Sequence, residues 1–166
     1  MIRYFLIFAL VFALLGCINN IDNDDEAVIV DPEFVSDLMS NSYDTLTIDS
    51  KRYILEADLW RDFMPPTPED GRPMVSINWL VNLDSIQVPL NLDMTKQYVI
   101  LNDSIWISDY SDETRRTYDY KLENISRNGP KWGPNVEVDV ISKITDSTTD
   151  TVYFIKAENI IIGATF

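Results

Sequence analysis

From Tyr43 onward, apolar residues recur at every second position. Side chains on a strand alternate between its two faces. A sustained period of two therefore dictates a series of strands, each with one buried and one wetted face. In Arg52 to Trp60, Tyr53, Leu55, Ala57 and Leu59 point one way, and Arg52, Ile54, Glu56, Asp58 and Trp60 the other. In Met74 to Asn82, Val75, Ile77, Trp79 and Val81 alternate with Met74, Ser76, Asn78, Leu80 and Asn82. Gln97 to Leu101 and Ser104 to Ser108 flank an Asn102-Asp103 turn, and Tyr118, Tyr120 and Leu122 mark a further strand. Val136, Val138, Val140 and Ile144 alternate with Glu137, Asp139 and Lys143; Val152 to Ala157 and Ile160 to Phe166 complete the series. The helical period occurs once. Asp31 is placed to cap, Pro32 suits the first helical position, Glu33 complements the dipole, and Phe34, Val35, Leu38 and Met39 share a face. This predicts a short helix over Asp31 to Asn41, packed against a sheet end.

Eight or nine short strands with this patterning predict an all-β fold, an antiparallel β-sandwich filling residues 31–166 as a single domain. The pattern resembles the immunoglobulin-like architecture, with Trp79 expected inward in the core. The cysteine pair of antibody domains is missing, so the resemblance is one of architecture only.

What the chain lacks narrows its chemistry. It has no histidine, and its one cysteine is Cys17. There is no imidazole base, no thiol nucleophile in the domain and no intramolecular disulfide, and no metal site or cofactor is expected. What remains for catalysis is carboxylates, hydroxyls, Lys and Arg. Glu56 and Asp58 share a strand face, as do Glu137 and Asp139, with i,i+2 residues roughly 6–7 Å apart. That spacing would suit work on a glycosidic bond, but a solvated strand face carries the same pattern, so no catalytic residue is assigned. Neither Asp22 to Glu26 nor Asp146 to Asp150 has the spacing of a calcium loop.

The first seventeen residues, MIRYFLIFALVFALLGC, combine a basic start at Arg3, an apolar run of twelve from Tyr4 to Leu15, and Leu14-Leu15-Gly16-Cys17. The run is too short for a bilayer-spanning helix and reads as a secretory signal. Its last four residues resemble the lipobox of bacterial lipoproteins. The resemblance implies cleavage of residues 1–16 and acylation of Cys17, which would be the contact with the membrane. Two or more acyl chains anchor a protein stably. The remaining 150 residues would carry 12 basic against 27 acidic residues, a net of −15, which disfavours nucleic acid and anionic headgroups as partners. Residues 17–30 read as an acidic tether, with Asp22, Asp24, Asp25 and Glu26 clustered. The cluster resembles the signal that sends some lipoproteins to the outer face of the Gram-negative outer membrane, although it lies a few residues further from the cysteine. These features imply a lipid-anchored envelope protein.

Two loops are the candidate binding regions. Arg61 to Pro73 holds four prolines and a Glu69-Asp70-Gly71 turn, with Trp60, Arg61 and Phe63 at its start. Asn128 to Asn135 repeats Gly-Pro around Lys131 and Trp132, a rigid turn presenting one indole. A ring on a rigid loop beside polar groups is how many sugar-binding surfaces are built. Asp followed by Ser or Thr recurs around Thr45, Ser85, Ser104, Ser147 and Thr151. The motif resembles the acceptor of an O-glycosylation system on exported proteins, and it is also ordinary turn chemistry. The expected role is non-enzymatic binding or scaffolding, with an envelope protein or a polysaccharide as partner. The alternatives are a glycan-binding or glycan-processing accessory protein and a lipocalin-like carrier of an apolar ligand.

Overall fold

The computed structural model describes residues 28–110 and 115–166, and of residues 115–117 the backbone alone. The stretch read as a signal sequence, Cys17 and the acidic cluster lie outside the described residues. The folded unit starts earlier than residue 31. Val28–Val30, expected as the end of the tether, forms strand β1 and pairs with Ser104–Trp106.

Asp31 caps helix α1 (Pro32–Ser40), its carboxylate accepting from the Phe34 amide at 2.9 Å. The helix lies across a sheet face, not at a sheet end. Leu38 is buried with Tyr98, Ile100, Ile105 and Ile141, and Phe34 meets the Tyr98 ring edge-on at 6.0 Å.

Ten further strands follow: β2 (Leu46–Ile48), β3 (Lys51–Asp62), β4 (Met74–Asn82), β5 (Leu92–Leu101), β6 (Ser104–Asp109), β7 (Arg115–Tyr118), β8 (Lys121–Gly129), β9 (Glu137–Asp146), β10 (Thr151–Ile161) and β11 (Gly163–Thr165). They form two sheets. The first runs β1-β6-β5-β9-β10; the second runs β11-β3-β4-β8-β7, with β2 also on β3. Successive hairpins alternate between the sheets. The two inner faces meet over one core that includes Tyr53, Leu59, Leu80, Met94, Trp106 and Ile155. The architecture is therefore an all-β sandwich, antiparallel except where β11 runs parallel to β3 and Tyr43 bridges Ile155. The two sheets remain separate among the described residues, whereas a lipocalin-like carrier would need one closed barrel.

Three local expectations are corrected. Tyr118 and Tyr120 do not share a strand, since the chain turns at Asp119-Tyr120 between β7 and β8. The stretch read as two final strands is mainly β10, interrupted by a bulge where Glu158 and Asn159 face Asp139, whose carboxylate accepts from the Asn159 amide at 3.0 Å. Trp79 points outward. Register decides this: the inward residues of β3, namely Tyr53, Leu55, Ala57 and Leu59, lie opposite Asn82, Leu80, Asn78 and Ser76. The outward Trp79 indole instead donates to Glu123 at 2.8 Å. Trp106 on β6 fills the core, and its ring lies so close to Gly129 that a Cβ there would sit 2.7 Å away.

The polar inner face of β4 is used in a buried network. The Asn78 amide nitrogen reaches Gln97 at 2.7 Å and the Tyr110 hydroxyl at 3.0 Å; Tyr110 in turn bonds Ser142 on β9, and Gln97 donates to Ser108 at 2.9 Å. Burial pushes the Tyr110 phenol far above its ordinary value and keeps it protonated.

At the other end of the sandwich from loop 63–73, Asp146 fixes the β9–β10 turn. Its carboxylate accepts from the Asn91 side chain at 2.7 Å and the Thr148 amide at 2.8 Å, and these bonds hold it below the usual carboxylate range. A depressed folded-state pKa contributes stability above the ordinary carboxylate pKa, and that contribution is lost as pH falls through the folded-state value. The protection factor of the Thr148 amide, its exchange relative to an unstructured amide at the same pH, should therefore fall in the acid range in the native protein. In Asp146→Asn, which keeps an acceptor but does not titrate, it should not. Identical pH profiles for the two proteins would refute this role.

Candidate functional site

Strand β3 runs through Arg61 and Asp62, so the loop expected to begin at Arg61 begins two residues later. Arg61 points inward at 3 % exposure. Among the described residues its guanidinium hydrogen-bonds no carboxylate and is solvated by carbonyl oxygens. Nε donates to Arg72 at 3.0 Å, Nη1 to Lys131 and Gly133 at 3.0 Å each, and Nη2 to Asp70. One side chain thus ties together the two loops that the sequence singled out, which lie 70 residues apart. Five donors in a rigid fork are what that task requires, and lysine has no equivalent geometry.

Around this brace the remaining residues fall into place. The Phe63 ring sits 4.9 Å from the Arg61 guanidinium and stacks on Phe166 at 5.5 Å. It packs so tightly on Gly71 that a Cβ there would fall 2.6 Å from the ring; with a φ of +75°, the site calls for glycine twice over. Lys131 is exposed and pairs with Asp70 at 2.5 Å. That bond is the main reason the Asp70 carboxyl lies below its ordinary range, with Arg61 adding to it. Trp132 is not presented to solvent as expected. It is half-buried against the core, and its loop is pinned to Ile162 by backbone bonds from Asn135 and to Val136. Pro66 and Pro134 follow cis peptide bonds.

Of the five candidate binding residues, Arg61, Phe63, Lys131 and Trp132 build this rigid end, and Trp60 alone faces away from it. Trp60 is half-buried on the outer face of the second sheet, opposite Val75. There it lines a pocket of about 290 Å³ with Asp62, Arg72, Pro73, Val75, Arg127 and Asn128. A β-bulge shapes the far wall: Met74 pairs with Gly129 and Ser76 with Ser126, so Arg127 and Asn128 both stand opposite Val75. Bulges re-aim side chains in this way at sheet edges and sites. Asn128 takes the left-handed φ of +62° that the bulge imposes. The near wall is positioned by the brace, because Arg61 holds the Arg72 carbonyl and the Arg72 amide donates to the Asp62 carbonyl at 2.9 Å. Arg72 and Arg127 were not singled out from the sequence; the Asn128-Gly129 pair was the one hint that β8 would be irregular at its end.

One carboxylate of each pair is engaged elsewhere. Glu56 is paired with Lys121 at 2.6 Å, and Asp139 holds the β10 bulge. Thr45, Ser85, Ser147 and Thr151 are exposed at turns or strand starts, and Ser104 opens β6 half-buried. No helix among the described residues is long and apolar enough to cross a membrane. Comparison with known proteins yields no relative: no family model matches the chain, and no curated protein and no solved structure matches it significantly.

Proposed function

We propose that this protein is a non-enzymatic, saccharide-binding lipoprotein of the cell envelope, built on an immunoglobulin-like sandwich and held on the outer membrane of a Gram-negative bacterium through lipid on Cys17. The strand orders β3-β4-β8-β7 and β6-β5-β9-β10 support the fold assignment, since they match A-B-E-D against C′-C-F-G. The Asn78–Tyr110–Ser142 chain supports it as well, joining β4 to β9 where antibody domains place a disulfide. The lipid anchor rests on the Leu14-Leu15-Gly16-Cys17 motif. Eleven residue steps from Cys17 to Val28 would let the domain stand at most about 36–40 Å from its lipid.

The observation that carries the binding reading is the half-buried indole of Trp60 in a pocket whose wall Arg61 braces. A flat aromatic face takes the apolar face of a sugar ring, and surrounding amides, carboxylates and guanidiniums take its hydroxyls. A rigid wall lowers the ordering cost of binding. The lipidated chain, purified in mild detergent, should be retarded in native gels cast with envelope or extracellular polysaccharide, and Trp60→Ala should run unretarded. Equal migration of the two proteins through every polysaccharide tested would sink the reading. Cys17→Ser should move the protein from the membrane fraction to the soluble one; full retention on membranes would refute the anchor.

A protein partner is the second reading, and the opposite end of the sandwich favours it. Leu83, Ile86 and Leu90 are exposed on the β4–β5 connection, which is nevertheless fixed by the buried Val88, whose amide bonds Asp119 at 2.8 Å. A fixed loop showing three aliphatic side chains is a contact surface.

A further inference from the structure

Trp60 does not stand alone on its sheet. Helix α1 covers the outer face of the first sheet, whereas no helix among the described residues lies on the second. Register sets out what that second face presents. Opposite Trp60 is Val75, opposite Asp58 is Ile77, and opposite Glu56 is Trp79. Residues two apart on a strand share a face, and directly paired residues do too, so Trp60, Asp58 and Trp79 follow one another along one surface. Four residue steps along β3 and one strand spacing across to β4 set the two tryptophans about 14 Å apart. Both are half-buried. Trp60 is seated in its pocket, and Trp79 is fixed by the bond from its indole nitrogen to Glu123 at 2.8 Å. Of the carboxylates nearby, Glu56 is taken by Lys121 and Glu123 by Trp79. Asp58, midway between the indoles, is exposed and has no hydrogen bond or ion pair among the described residues.

We infer that this face binds a linear polysaccharide chain, which lies along it from Trp60 to Trp79 and spans about four sugar rings. This rests on the saccharide-binding reading above and extends it from a single pocket to a track. The two indoles take the apolar faces of rings at either end, Ile77 supplies the apolar floor, and Asp58 accepts from hydroxyls of the rings between. A mono- or disaccharide held at Trp60 would leave Trp79 unused. Both indoles stand on paired strands, so no loop has to be ordered when the chain binds.

Calorimetric titration of the lipidated full chain, in a mild detergent without sugar headgroups, tests this with matched probes: the disaccharides and hexasaccharides of cellulose, xylan, mannan and chitin. In at least one series the hexasaccharide should bind at least ten-fold more tightly than the disaccharide. Trp79→Ala should bring that hexasaccharide down to about the affinity of the disaccharide, and Trp60→Ala should abolish binding of both, with circular dichroism confirming an intact sheet. Asp58→Ala breaks no bond among the described residues and should weaken the hexasaccharide about three-fold or more; it decides the matter should Trp79→Ala fail to fold. A disaccharide that binds as tightly as its hexasaccharide would overturn the inference and leave the saccharide reading standing. So would hexasaccharide binding that Trp60→Ala removes and Trp79→Ala leaves unchanged. Failure of all four series to bind likewise overturns the inference, and the broader reading falls with it only if no polysaccharide retards the chain in native gels.

Discussion

Arg61→Met is expected to lower the unfolding midpoint by about 6–12 °C. The substitution keeps an apolar stem of similar length and deletes the fork that holds the carbonyls of Asp70, Arg72, Lys131 and Gly133. Hydrogen bonds from a charged donor contribute about 1.5–3 kcal/mol each, which would sum to more than the loss expected. The loops carrying these carbonyls are near the surface, however, so water replaces part of what is lost. A net cost of about 3 kcal/mol is therefore reasonable, and in a domain of this size each kcal/mol moves the midpoint by about 2–4 °C. Arg61→Lys should recover only a minor part, because an ammonium cannot reach four divergent acceptors from one position. Amide exchange should rise in residues 63–73 and 130–135 and stay unchanged in β5 and β9. A midpoint within 1 °C of the parent, or exchange rising evenly through both sheets, would show that Arg61 is not the brace.

Trp106→Ala should cost still more, about 3–5 kcal/mol, the range for deleting a fully buried indole. The cavity would open between the sheets, where β6 packs over Gly129 at the end of β8. Little nearby can move into it, since the backbone of β8 is held there by pairing with Met74. The close approach of ring and glycine adds an internal control. Gly129→Ala drives a methyl group into the indole and should destabilise the parent strongly. In the Trp106→Ala background the same methyl enters the vacated space and should cost much less, or even restore stability. Urea unfolding of the four proteins measures this as a double-mutant cycle. Additive effects would mean that ring and glycine do not meet.

The strand series was largely legible because most strands bury one face and wet the other. Tyr53, Leu55 and Leu59 could be placed inward from alternation alone, and Asp31-Pro32 announced the helix. Strand β4 departs from the pattern for a physical reason: its inward face includes Ser76, Asn78 and Asn82, and alternation cannot foresee polar residues buried inside a core. The partners of the Asn78 amide nitrogen, Gln97 on β5 and Tyr110 with Ser142 on β9 behind it, lie far away in the chain. The site was legible only in part. Proline and glycine marked both loops, but nothing local says that a single arginine reaches across 70 residues to join them. Arg72 and Arg127 meet at Trp60 through a bulge and a brace, both of which depend on register. Arg61, Phe63, Lys131 and Trp132 all gather at the braced end of the sandwich, and the contacts that place them there come from far away in the chain.

Strand β11 has a kinetic consequence. It lies beside the far end of β3, and Thr165 bonds Asp62 across 103 intervening steps of chain. Closing so long a segment costs entropy that local contacts do not repay in advance, and chains dominated by such pairings fold in milliseconds to seconds. The Arg61 brace, flanked by β11 and Phe166, completes late for the same reason. A newly made chain therefore remains threadable while most of its length is already in hand. That delay would suit a protein that crosses a membrane unfolded before it takes up its position.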